Sequence, residues 1–182
     1  MSELGNYFRK MRGGAKSPPR VGLGEMAWSF LGALVGISLL AYINYHLLRG
    51  TGLVLILGSF GASALLIYGA IKTPFAQPRN LVGGHILSAL IGVTAYKLIP
   101  GHLWLASGLA VAASIAAMHA TRTAHPPGSA TALIAVMGDE KITGLGYFYA
   151  VMPVGAGVLI LLAVALIINN ISKTRRYPES WF

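Results

Sequence analysis

Residues 26–48 run for 23 positions without a lysine, an arginine or a carboxylate, and nothing else in the chain narrows its fold as far. The hydrocarbon core of a bilayer is ~30 Å thick, and a helix rising ~1.5 Å per residue needs ~20 apolar residues to cross it. The run from Met26 to Leu48 meets that length and exceeds the roughly 7–15 residues of a signal-peptide core. Five more apolar segments follow: Leu53–Ile71, Leu81–Ile99, Leu103–Ala120, Gly128–Gly138 and Gly146–Ile171. Only 10% of the residues are charged, against about 25% in soluble domains, so water is the wrong solvent for most of this chain. It reads as an all-α polytopic membrane protein of about six apolar helical segments, five of them long enough to span or nearly so.

Gly128–Gly138 is the exception. Its 11 residues cover about half of the core at helical rise. It is a half-helix, a re-entrant piece, or a span extended by its polar neighbours, and irregular backbone at that depth is tolerated only inside protein or beside water. A faint repeat accompanies it: residues 61–67 (GASALLI) resemble 128–134 (GSATALI). Each lies in the second of three segments, which suggests two inverted three-segment repeats of the kind transporters use.

The net charge of +9 does not point to nucleic acid, because of where the charges lie. Arg9, Lys10, Arg12, Lys16 and Arg20 precede the first apolar segment, and Lys173, Arg175 and Arg176 follow the last. With six crossings the tails share a side with Lys72, Arg79 and Arg122, eleven basic residues against three (Arg49, Lys97 and Lys141) opposite. The positive-inside rule then places both termini in the cytoplasm of a cell with a bacterial-type plasma membrane. Four spans with two re-entrant pieces give the same orientation. Residues 1–24 form a basic solvated arm, 25–171 the membrane domain and 172–182 a basic tail. Trp28, Tyr42, Tyr45, Tyr96, Trp104, Tyr147 and Tyr149 stand at segment ends, as an interfacial belt would.

Small residues recur at helical spacing: Gly32 with Gly36, Gly84 with Ser88 and Gly92, and Gly108 with Ala112, Ala116 and Ala120. Such stripes let helices approach closely in lipid. The acids Glu3, Glu25, Asp139, Glu140 and Glu179 all fall in tails, segment ends or loops. The buried carboxylate of a cation or proton transporter is therefore missing, and anion handling fits the chain better. With no cysteine, no HExxH pattern, no closely spaced histidine boxes and no phosphate loop, neither a metal site, a cofactor nor an enzymatic reaction is expected.

Two polar junctions carry the chemistry. The first runs from Thr73 to Asn80 and on to His85, with Arg79 and Asn80 as donors. The second runs from Thr121 through Arg122, His125, Pro126, Pro127, Gly128 and Ser129 to Thr131. A residue before proline stays extended, and proline favours the first helical turn, so a helix starts at Pro126. Its amides at Gly128, Ser129 and Ala130 would be anion donors supported by the helix dipole, with Arg122 and His125 as the recognition pair. The alternative is a plain Pro-Pro turn, with Arg122 reaching lipid headgroups. Ser59, Gly61 and Ser63, in the run 58–63 (GSFGAS), either interrupt the second segment and expose further donors or mark a tight helix crossing.

The tripeptide His125-Pro126-Pro127 with Gly128 resembles the signature of the HPP family of integral membrane proteins. The likeness extends from Arg20 to Phe182 through 58–63 (GSFGAS), 77–80 (QPRN) with 83–85 (GGH), 121–123 (TRT) and 175–178 (RRYP). It implies a small polytopic protein, often described as four-spanning, whose members are thought to be transporters, with plant relatives associated with nitrite. The expected function is a transporter or channel for a small inorganic anion such as nitrite, assembled as a homo-oligomer. The rival is a membrane module that senses an ion or assembles with a partner without transporting.

Overall fold

The computed structural model describes residues 3–182, and among them every regular element is helical. A short exposed helix, α1 (Glu3–Lys10), lies in the basic arm. The membrane domain follows as α2 (Leu23–Tyr42), α3 (Gly58–Ala64), α4 (Pro78–Leu98), α5 (Leu103–Ala120), α6 (Pro126–Met137), α7 (Glu140–Thr143) and α8 (Ala156–Ile171). With their wider or tighter end turns, four helices are long and apolar enough to cross a membrane: Leu23–Leu47, Pro78–Leu98, Leu103–Ala120 and Gly146–Ile171. Two apolar helices are shorter, Gly58–Gly69 and Pro126–Met137. Each has 12 residues, which reach ~18 Å of a ~30 Å core.

The second segment therefore departs from expectation. Residues 53–57 form no regular element, with Leu57 extended, and the helix starts only at Gly58. The cause lies eleven residues upstream, where the widened last turn of α2 brings Asn44 inward. Its Oδ1 accepts the amides of Leu55 at 2.8 Å and Ile56 at 3.3 Å. Backbone donors that would otherwise require a helix are thus satisfied by a side chain. The far end of this short helix is also closed: Asn169 Nδ2 donates to the Ile67 carbonyl at 2.9 Å and Arg175 Nη1 to that of Tyr68 at 3.0 Å. A guanidinium there also complements the negative end of the helix dipole.

Apolar burial gives little drive between helices already in lipid, so contact geometry decides how they pack. Gly32 and Gly36 seat the Tyr68 ring, and a Cβ at Gly32 would lie 2.6 Å from its Cδ1. Gly157 likewise seats the fully buried Phe60 ring. The Gly84–Ser88–Gly92 stripe is a seam between α4 and α6: a Cβ at Gly92 would stand 2.5 Å from the Ala132 carbonyl oxygen, and one at Gly128 2.8 Å from that of Gly84.

The third stripe behaves otherwise. Gly108, Ala112, Ala116 and Ala120 are all exposed, and α5 packs instead through Ala106, Ala110, Ser114 and Met118. Tyr149 also leaves the expected interfacial belt, since it is fully buried and donates to the Thr131 carbonyl at 3.1 Å. The halves are packed unequally: α6 lies along α4 and α5, whereas α3 touches α8 only slightly.

Candidate functional site

The 121–125 loop is pressed onto the start of α4 at two adjacent glycines. A Cβ at Gly83 would be 2.7 Å from Thr123 Cγ2, and one at Gly84 would be 2.8 Å from the Thr123 carbonyl and 2.6 Å from His125 Cβ. Two residues beside these glycines latch the loop from outside: Arg79 Nη2 donates to the Thr121 carbonyl and Asn80 Nδ2 to that of Ala124, both at 2.8 Å. His125, held extended before Pro126, is thereby driven inward to full burial.

Around it lies an unbroken polar cluster. Ser63 Oγ is 2.9 Å from His125 Nε2 and 2.7 Å from His85 Nε2. His85 Nδ1 is 2.7 Å from Thr131 Oγ1, whose hydroxyl donates to Ser59 Oγ at 2.9 Å. At the other end His125 Nδ1 is 2.7 Å from the Phe75 carbonyl oxygen. Ser63 also stands 3.2 Å from the Ser59 carbonyl. Ser59 and Ser63 come from α3, His85 from α4, and His125 and Thr131 from α6 and its entry. All five are buried. The two imidazole rings are 4.8 Å apart, and Phe60 meets His85 edge-on at 5.6 Å.

Of the residues expected at a site, Ser59, Ser63, His85, His125 and Thr131 are brought together. Pro127 and Gly128 support them in the α4–α6 seam. Ser129 and Pro126 line a cavity of about 250 Å³ against His125, with Phe75, Ile115, Met118, His119 and Ala124. Arg79 and Asn80 hold the loop and do not join the cluster. Gly61 is exposed, and so is Arg122. Arg122 adopts a left-handed backbone (φ 57°) past the end of α5, and its side chain makes no hydrogen bond among the described residues. It is therefore not paired with His125.

The start of α6 differs from expectation too. Its first two residues are prolines without an N–H, and the Gly128 amide donates to the His125 carbonyl at 2.8 Å. The first three positions thus offer no free donor to an anion.

Sequence reasoning missed three participants. Phe75 acts through its backbone carbonyl, which no side-chain pattern reveals. Tyr149 looked like a belt residue. Ser88, one turn from His85, is a buried hydroxyl without a partner among the described residues; its place in a small-residue stripe concealed it. A signal for Tyr149 did exist, because it falls inside the apolar segment Gly146–Ile171. Among the described residues no group of three or more histidine, cysteine or acidic side chains could hold a metal ion.

The turn bearing Phe75 is fixed from the tail. Tyr177 donates to the Ala76 carbonyl at 2.7 Å, and burial pushes its phenol above the usual range. Gln77 donates to the Ile71 and Thr73 carbonyls, both at 2.9 Å, and accepts the Glu179 amide at 2.9 Å. A second opening, of about 440 Å³, lies where residues 53 and 54 enter the interior; Arg49, Lys141 and Asn44 line it.

Comparison with known proteins agrees with this architecture. The family model described as HPP, transmembrane region, matches residues 18–178. A transmembrane protein of Dictyostelium discoideum is 46% identical over 179 residues, covering 97% of this chain and 57% of the relative. A second transmembrane protein of the same organism is 41% identical over 181 residues, covering 97% and 63%. The chain thus spans less than two thirds of the length of either relative. No solved structure matches it.

Proposed function

The chain belongs to the HPP transmembrane family, and on that premise we propose that it is a transporter or channel for a small inorganic anion such as nitrite. The buried cluster at the crossing of two half-length helices carries the reading. Polar groups at membrane depth are costly and mark pathways, and this set combines hydroxyl and imidazole donors with no carboxylate to repel an anion. Openings lie on two sides of it: the mouth with Arg49 and Lys141 reaches in as far as Leu53 and Val54, five residues before Ser59, and the cavity beside His125 meets the opposite end. The two cations at the mouth attract anions electrostatically, a role first expected of Arg122.

Each half of the chain sets a short helix between two long ones, which favours an inverted-repeat origin. The eleven-to-three charge distribution favours cytoplasmic termini in a plasma membrane. No chemical transformation is assigned to the site. The outward small-residue stripe on α5 supports assembly with a second copy, and in the alternative reading that assembly, with ion sensing, is the whole function.

Uptake of nitrite by vesicles holding the purified full chain is the decisive experiment. Uptake should exceed that of protein-free vesicles and fall severalfold in the Arg49→Gln, Lys141→Gln double variant, with the difference shrinking at high salt. Uptake no greater than in protein-free vesicles, from protein that is folded and monodisperse, would overturn the transport reading.

A further inference from the structure

The hydrogen bonds of the cluster cannot all be made while Thr131 donates to Ser59. The Phe75 carbonyl can only accept, so His125 Nδ1 carries a proton and Nε2 of the neutral ring is bare. With Thr131 donating to Ser59, His85 must donate from Nδ1 to Thr131 Oγ1, which leaves its Nε2 bare as well. Both bare nitrogens face Ser63 Oγ, at 2.7 and 2.9 Å, and its hydroxyl has one proton to give, for which the Ser59 carbonyl at 3.2 Å is a third and more distant acceptor. Two changes resolve the conflict. In one, Ser59 and Thr131 turn round, so that Ser59 donates to Thr131, Thr131 to His85 Nδ1, His85 Nε2 to Ser63 and Ser63 to His125. In the other, a single added proton sits on His125 Nε2 and the directions all reverse.

These arrangements differ by one proton and by the polarity of every bond between Ser59 and His125. We propose that the cluster is a proton-loading relay, and that the anion carried is the conjugate base of a weak acid, moved together with one proton. The inference rests on the transport reading and names its substrate class. Loading starts from the neutral arrangement. A hydronium ion, or the weak acid itself, gives a proton to Ser59 Oγ and leaves as water or the free anion. Ser59 passes its own proton to Thr131, Thr131 to His85 Nδ1, His85 its Nε2 proton to Ser63, and Ser63 to His125 Nε2. The network gains one proton and one positive charge, which appears on His125 against the cavity where the anion sits. Unloading runs the same transfers backwards.

The surroundings suit a charge that comes and goes. His85 faces His125 and the Phe60 ring; from α5, His119 lines the same cavity as His125. The Tyr149 phenol is engaged with the Thr131 carbonyl. Arg79 is held by the Thr121 carbonyl, Arg122 is exposed, and Tyr177 and Glu179 reach only the Ala76–Gln77 turn. Among the described residues no carboxylate touches the cluster, so nothing fixes the proton permanently.

Vesicles holding the full chain, with a pH dye inside and a nitrite electrode outside, test the relay, with protein-free vesicles subtracted. One proton should enter with each nitrite. Ser63→Ala and Thr131→Val each remove a link, and both fluxes should fall by about a hundredfold, the scale of a positioned proton transfer. Ser114→Ala, a buried hydroxyl on α5 that donates to the Val111 carbonyl of its own helix, should leave them unchanged.

Nitrogen NMR of labelled histidine in the same membranes supplies a readout independent of transport. As pH falls, the His85 proton should move from Nε2 to Nδ1, and Ser63→Ala should abolish that movement. Nitrite entering without protons, or at the wild-type rate in Ser63→Ala, overturns the relay and leaves the transport reading standing. A His85 tautomer unchanged with pH in folded protein also overturns it. A tautomer that switches in wild type but not in Ser63→Ala, without nitrite uptake, sustains the relay and sinks the transport reading.

Discussion

Two polar clusters lie inside this protein, and they are built from opposite kinds of group. Around Arg175 the guanidinium gives Nε to Glu25 Oε2 at 3.0 Å, Nη1 to the Tyr68 carbonyl and to Asn169, and Nη2 to the Glu25 carbonyl and Ser29. Arginine donates and never accepts, so this arrangement has one polarity and no alternative. The Ser59–Thr131–His85–Ser63–His125 set consists of groups that do both, and its polarity reverses. The first clamps α2, α3 and α8 to the tail, whereas the second is suited to movement of charge. Polar burial thus serves holding or transfer according to whether its donors can also accept.

Substitutions that separate holding from transfer follow, the largest effect first. Arg175→Met should destabilise the protein by about 3 kcal/mol, the low end for breaking a buried ion pair, because the Glu25 side chain is 44% exposed while Tyr68 and Asn169 lose a buried partner. Denaturant titration in detergent checks it. Arg175→Lys should recover less than half, since an ammonium lacks the planar fork. Next comes Gly84→Ala, which drives a methyl into the Thr123 carbonyl and His125 and should cost about 2 kcal/mol by overpacking. Gly108→Ala, in open space on α5, is the matched control and should not destabilise.

Ser63→Ala should cost only about 1 kcal/mol, the net worth of an ordinary hydrogen bond, while lowering flux by about a hundredfold. A loss as large as that of Arg175→Met would make the second cluster a clamp as well. Tyr177→Phe should cost about 1 kcal/mol through the Ala76 carbonyl, and its pH dependence has a definite sign. The folded phenol titrates above its unfolded value, so its contribution is complete below the unfolded pKa of ~10 and is lost as pH rises beyond it. Wild type should therefore lose stability in that alkaline range faster than Tyr177→Phe in the same titration. Smallest of all, Arg122→Lys should leave nitrite uptake within about twofold of wild type, as expected of an exposed cation.

How much was legible from sequence depends on which physical signal each residue carried. Apolar length located the four long helices and the shortness of α6, because bilayer thickness imposes it. The Pro126–Pro127 start was also readable, since proline's geometry acts locally. Its anion-binding amides were not, because whether Gly128 spends its N–H on His125 depends on the turn the chain takes. The non-helical stretch 53–57 escaped because its leucines, valine and isoleucine suit helix and strand alike, and its determinant, Asn44, is far away in sequence. The outward face of Gly108 escaped for a related reason: a small-residue stripe shows what could pack closely, not what does. Five of the cluster's residues were named as candidates, but their series order comes from three helices crossing and cannot be read along one.

A cluster with no fixed charge has one further consequence, which concerns voltage. Moving a unit charge across a membrane at 100 mV changes its energy by ~2.3 kcal/mol. An anion crossing alone would be driven or opposed by that amount. Under the proposed relay it would cross as a neutral unit, paired with the proton on His125, and the emptied cluster would return neutral as well. The membrane potential would then do no net work on either half of the cycle. Accumulation would be set by the pH difference alone, about tenfold for each unit, or ~1.4 kcal/mol. A cell could depolarise completely and, as long as its pH gradient survived, keep the anion where it was.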